Sequence, residues 1–105
     1  METLDHWIGG AAVPPAGGEY LAVTDPATGR TVRQVARGDA ADVDAAVRAA
    51  VKATARWLAI PALSRGRLLV DLARAMRADA SVLAALEISE TGKPEKVALA
   101  EVENS

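Results

Sequence analysis

The chain has 105 residues, a net charge of −2 and no cysteine. That length suits one domain near the lower limit for a self-sufficient core. The composition excludes a disulfide framework, a thiolate metal site and a cysteine nucleophile, and the interspersed charges exclude the basic face of a nucleic-acid binder.

Residues 1–38 are rich in Gly, Pro, Thr and Val, and residues 39–105 in Ala, Leu, Arg and Glu. This shift divides a strand segment from a helical segment of one incomplete domain. The opening METLDHWIGG lacks the basic stretch and apolar core of a signal peptide. No apolar run approaches the ~20 residues of a membrane span. The default expectation is a soluble cytoplasmic protein. Trp7-Ile8, Gly9-Gly10 and Ala11-Ala12-Val13 read as a strand, a tight turn and a second strand. Pro14 to Gly18 is a loop, and Tyr20-Leu21-Ala22-Val23 a strand. Asp25-Pro26-Ala27-Thr28-Gly29 is a turn, because proline fixes φ and glycine supplies a left-handed position. Thr31 to Val35 alternates like a half-buried strand. Together these segments form an antiparallel ribbon.

Asp39 or Asp42 caps the first helix, along which Val43, Val47, Ala50, Val51, Thr54 and Leu58 recur at helical spacing. Pro61 stops that helix or starts the next. Leu68, Leu69, Leu72, Ala73 and Met76 make the second apolar stripe, with Arg65, Arg67, Arg74 and Arg77 mostly off it. Asp79 or Ser81 caps a third helix carrying Val82, Leu83 and Leu86. Gly92 is placed as its left-handed C-terminal residue, with Pro94 just beyond. A fourth helix, with Val97 and Val102, runs to Ser105 without a stop signal, which suggests a truncated chain. The fold class is α+β: a short antiparallel ribbon followed by about four helices.

Few residues suggest chemistry. His6 has no neighbouring ligand type and reads as a surface histidine near a mobile terminus. Ser64, Ser81 and Ser89 fall at caps or solvent faces, without an accompanying histidine. Gly9-Gly10 and Gly17-Gly18 lie between strands, whereas a dinucleotide site needs its glycines between a strand and a helix. Capping and helix-dipole roles explain Asp42 and Asp44. The arginines of the second helix read as a solvated face. Lys93 follows a glycine but lacks the rest of a phosphate loop. At a helix C-terminus it complements the dipole. The sequence assigns no catalytic, cofactor-binding or metal residue.

The order of motifs resembles the N-terminus of the aldehyde dehydrogenase superfamily. Trp7-Ile8-Gly9-Gly10 resembles its opening strand and turn, and Val23 to Arg30 its "NPATGE" turn, with Asp for Asn and Arg for Glu. Ala36 to Val47 is similar to the start of its first helix, with Trp57 in the family's tryptophan place. Arg65-Gly66-Arg67-Leu68-Leu69 resembles its second helix. Leu86 to Pro94 resembles its "LETGKP" region, and Glu101-Val102 the "GEV" that follows. The resemblance implies the N-terminal piece of the aldehyde dehydrogenase fold. It also implies the family reaction, in which NAD or NADP oxidises an aldehyde to a carboxylic acid or thioester. Attack by a cysteine and release of product by a glutamate-activated water belong to that reaction. The family's cysteine, general base, oxyanion-stabilising asparagine and cofactor-contacting lysine match no position in this chain.

The resemblance also raises a monovalent cation site. The matching carbonyls are those of Val23 and Thr24. The usual aspartate position is Val102, flanked by Glu101 and Glu103. Two carbonyls and one carboxylate leave a hard cation's shell incomplete.

The first expectation is therefore an N-terminal fragment that is inactive by itself. The alternative is a non-catalytic interaction or oligomerisation module built on that scaffold. With no Phe and only Trp7, Trp57 and Tyr20 as aromatics, the core is thin. Stripes such as Leu68, Leu69, Leu72 and Met76 exceed what four short helices can cover. The expected partner is a second copy of the chain, as a dimer.

Overall fold

The computed structural model describes all 105 residues, with five strands followed by four helices. Its contacts separate two compact units, Met1–Val23 with Thr31–Ala59, and Thr24–Arg30 with Ile60–Ser105. No helix is long and apolar enough to cross a membrane.

The first unit contains β1 (Glu2–Leu4), β2 (His6–Ile8), β3 (Ala11–Val13), β4 (Tyr20–Thr24) except its last residue, β5 (Thr31–Ala36) and α1 (Ala40–Ala59). β2 and β3 form the expected antiparallel hairpin, with His6 opposite Val13 and Ile8 opposite Ala11. Its turn works because Gly9 and Gly10 both take positive φ, 64° and 83°, a region that residues with a Cβ seldom enter. β4, β5 and β1 make a second sheet in the order β1-β5-β4. β1 is a strand that the sequence reading does not contain, and it runs parallel to β5, with Glu2 opposite Arg33. The addition of β1 accounts for a feature no alternation pattern predicts. Arg33, on β5, is buried, with its Nε 3.9 Å from Glu2 Oε2.

α1 turns an unexpected face inward. Ala46 and Ala49 are half-buried, whereas Val43, Val47, Val51 and Leu58 are exposed, Val51 to 67%. The alanine face meets the β2–β3 turn. A Cβ on Gly9 would lie 3.9 Å from that of Ala49. That is ordinary contact distance, so the alanine face of α1 packs on the hairpin turn, while Gly9 is required by its positive φ.

The second unit starts with the turn between the two strands of the chain's longer hairpin. Asp25 N–H donates to the Arg30 carbonyl at 2.9 Å, and Gly29 N–H to the Asp25 carbonyl at 2.8 Å. The Asp25 carboxylate accepts from Ala27 N–H at 2.8 Å, the side-chain turn expected of aspartate. The helices are α2 (Ala62–Ala78), α3 (Ala80–Thr91) and α4 (Glu95–Glu103). Pro61 occupies the N-cap position of α2, so it starts that helix. Asp79 ends α2 and begins α3 but makes no side-chain capping bond, and Ser81 lies inside α3. The helix-capping roles proposed for them therefore reduce to one position without a bond. Both helix ends are instead satisfied through the Asp79 backbone: its N–H donates to Ala75 O, and its carbonyl accepts from Leu83 N–H.

The best-buried apolar residues in the chain are Ala84 on α3 and Ala98 on α4, exposed to 2% and 0%. This is a core of methyl groups, thin as the composition predicts. Leu63, Leu68, Leu69 and Leu72 of α2 remain exposed. α4 ends at Glu103, not Ser105. Asn104 caps it, donating from its N–H to Ala100 O, and the Ser105 hydroxyl turns back to the Glu101 carbonyl at 2.7 Å.

Candidate functional site

Two polar clusters organise the chain, one in each unit. The first surrounds Asp42. Asp39 is the N-cap of α1, and its Oδ1 accepts from Ala41 N–H at 2.8 Å and Asp42 N–H at 3.1 Å. Asp42 reciprocates, accepting from Asp39 N–H through Oδ2 at 3.0 Å. This is a capping box with aspartate at both positions. Both candidates the sequence offered for the cap thus share the task. Asp42 does more: its Oδ1 accepts from Ala16 N–H at 2.9 Å, which ties the loop before β4 to the helix. The Asp39 and Ala16 N–H donors hold its carboxyl below the usual carboxylate range, and the neighbouring His6 adds to this. Asp44 pairs with Arg48 one turn along the exposed face.

His6 does not lie free on a mobile terminus, as its isolation in the sequence suggested. It sits in β2 with a side chain only 20% exposed, and its Nε2 is 3.5 Å from Asp42 Oδ2. Pairing with β3 fixes the strand, and the backbone of Gly38 closes over the ring: a Cβ there would be 3.4 Å from His6 Cε1. Nearby, Tyr20 donates its hydroxyl to Asp5 at 2.7 Å. That bond, with some burial, raises the tyrosine pKa.

The second cluster answers what the Glu-Thr-Gly-Lys-Pro turn does. Gly92 ends α3 with φ 72° and ψ 14°, its N–H donating to Ile88 O. It is the left-handed C-cap that the sequence predicts. Lys93 then reaches two carboxylates, Glu87 Oε1 at 2.7 Å and Glu101 Oε2 at 2.6 Å. It joins α3 to α4 and exceeds the dipole role read from its position. Glu101, and secondarily Glu87, raise the Lys93 pKa. Glu101, the carboxylate considered for a cation, therefore faces an ammonium group.

Neither cluster pairs a nucleophile with a base. Ser89 donates to the Leu86 carbonyl at 2.8 Å, within its own helix. Arg74 lies 3.5 Å from Asp71 on an exposed face, and Arg65 donates to the Ile60 carbonyl at 3.1 Å. A groove of about 560 Å³ between the β2–β3 hairpin and α1 is floored by Ala49 and Ala53 and edged by Trp7, Lys52 and Arg56. It contains no acid–base pair. The residues present do not fit a dinucleotide either. Gly9-Gly10 joins β2 to β3, and Gly17-Gly18 lies between β3 and β4. Neither pair leads into a helix N-terminus that could face a pyrophosphate.

The capped ribbon-to-helix junction and the Gly-Lys-Pro turn occur in the order of the motifs noted in the sequence. Residues 13–105 match the aldehyde dehydrogenase family. The chain belongs to that family. The match begins after Trp7-Ile8-Gly9-Gly10, so that motif lies outside it. The chain is 41% identical over 93 residues to acetaldehyde dehydrogenase 2 of Cupriavidus necator, covering 89% of this chain and 18% of that protein. A solved structure of 3,6-anhydro-L-galactose dehydrogenase in complex with NAP superposes with a TM-score of 0.94 at 29% identity. It covers 97% of this chain, which spans 21% of that one. PnpE, solved in complex with nicotinamide adenine dinucleotide, gives a TM-score of 0.89 at 36% identity. The coverage is 97% of this chain and 21% of that one. The chain thus spans about a fifth of these relatives, as their N-terminal segment.

Proposed function

We propose that this chain is the scaffold-forming N-terminal segment of an NAD- or NADP-dependent aldehyde dehydrogenase that oxidises an aldehyde to a carboxylic acid. By itself it carries no dehydrogenase activity. The observation behind this reading is the pairing of family membership with a sequence that has no cysteine. Attack on the aldehyde carbonyl in that reaction needs an activated thiolate. The residues most engaged, Asp42 and Lys93, hold helices in place. Purified chain with NAD or NADP and a panel of aldehydes should form no reduced cofactor above blank. Sustained, protein-proportional formation from a contaminant-free preparation would refute the reading.

A second reading, a non-catalytic interaction or self-association module, draws support from the exposed stripe Val43, Val47, Val51 and Leu58. A downstream reading frame containing a Gly-rich strand–helix turn and a cysteine favours the first reading over the second.

A further inference from the structure

We propose that His6 and Asp42 form a proton-dependent latch, which holds the β2–β3 hairpin to the N-terminus of α1 more tightly when His6 is protonated. The geometry carries this. His6 Nε2 is buried and makes no hydrogen bond, yet it faces Asp42 Oδ2 at 3.5 Å. The Asp42 side chain is itself only 7% exposed and cannot swing away. Ala16 N–H holds one oxygen and Asp39 N–H the other, at 2.9 and 3.0 Å.

A neutral imidazole has one protonated nitrogen and one bare one. With Nε2 bare, its lone pair points at a carboxylate. With Nε2 protonated in the neutral ring, the contact is a long, neutral-donor one. The imidazolium has a hydrogen on Nε2 in every case, and its charge favours closing the remaining gap to a charge-assisted bond.

The other groups around the ring do not replace Asp42. β3 presents Val13 opposite His6, and the segment before α1 presents the Gly38 backbone. Asp39 spends its Oδ1 on the Ala41 and Asp42 N–H groups. Asp5, the preceding residue, accepts from Tyr20. Arg37 is paired with Glu19 at 2.8 Å. One carboxylate therefore reads the protonation of His6, and the same carboxylate anchors the loop and the helix.

The test is an NMR titration of the 105-residue chain from pH 8 to 5.5, following the His6 ring and the backbone amides of Ala16 and Asp39. Both amides should shift in step with the ring, because both donate to Asp42. In His6→Gln they should stay flat over this range. Urea unfolding gives an independent readout. Relative to His6→Gln, the folded-to-unfolded ratio of the wild type should rise about threefold between pH 8 and 5.5, the scale of one partly covered ion pair. Amides that ignore the ring's titration, or an identical pH dependence in His6→Gln, overturn the latch. If His6→Gln does not fold, the wild-type titration decides alone.

Discussion

The Cβ that Gly92 lacks would fall 3.0 Å from Cγ of Pro26. The two most recognisable motifs in the sequence, Asp-Pro-Ala-Thr-Gly and Glu-Thr-Gly-Lys-Pro, therefore meet in space although more than sixty residues separate them. Gly92 is needed twice, for its positive φ of 72° and for the room it leaves Pro26. The turn that looks like part of a phosphate loop is a packing joint.

Replacing Gly92 with Val should destabilise the chain by roughly 1–2 kcal/mol from backbone strain alone, since a β-branched side chain is poorly tolerated at positive φ. Contact with Pro26 adds to that loss. The two parts separate in a Pro26→Ala background, where the Gly92→Val penalty should shrink without vanishing. Urea denaturation of the four proteins measures both. An undiminished penalty in the Pro26→Ala background would show that the close approach carries no energy.

Lys93→Met should lower the melting temperature at neutral pH, because it leaves the Glu87 and Glu101 carboxylates without their shared cation. The direction with pH follows from the raised Lys93 pKa. Its stabilisation is fully present below the ordinary lysine value of 10.5 and is lost as pH rises through the higher folded value. Wild-type and Lys93→Met melts should converge as pH climbs through that region. A constant gap through pH 11 would mean that the side chain acts by packing rather than by charge.

Asp42 works with the opposite sign. Its folded pKa lies below the ordinary value of 3.8. Its contribution is present above that value and is lost as pH falls through the folded one. Acid unfolding followed by circular dichroism should therefore steepen below pH 3.8 in the wild type, and Asp42→Asn should flatten that limb. Asp39→Ala removes the N-cap acceptor and should cost about 1 kcal/mol at neutral pH. An Asp39→Ala protein as stable as the wild type would contradict the capping box.

Much of this is legible in the sequence itself. Proline and glycine punctuate locally, so the Gly9-Gly10 hairpin, the Asp25–Gly29 turn, the start of α2 at Pro61 and the Gly92 cap all follow from single residues. Capping by Asp39 is equally local. What escaped the sequence was non-local. β1 joins β5 in parallel with more than twenty residues between them, and no turn signal marks such a pairing. The burial of Arg33 follows from that strand and was hidden with it. His6 looked isolated because Asp42, its partner, lies on another element. Periodicity also misled on α1. The valine stripe is the strongest apolar pattern in the helix, yet the alanine face packs on the β2–β3 turn, because which face is covered is set by the neighbouring element and not by the helix's own periodicity.

That inversion leads to the prediction about association. Val43, Val47, Val51 and Leu58, spaced four, four and seven residues apart, share one face of α1 and are all exposed. Independently, α2 exposes Leu63 to 70% and leaves Leu68, Leu69 and Leu72 about half open to solvent. Exposed apolar patches beyond a few hundred Å² usually mark an interface, and a core whose best-buried apolar side chains are two alanines contributes little stability to set against self-association. The chain at micromolar concentration should therefore form a dimer, with a melting temperature that rises with concentration. The simplest arrangement is two-fold, each copy presenting the same helix face. Sedimentation equilibrium measures the mass directly. Val47→Glu and Leu72→Glu, on separate helices, identify the face, since only the substitution inside the interface should shift the mass towards monomer. A well-folded monomer whose cooperative melt is independent of concentration would rule the dimer out.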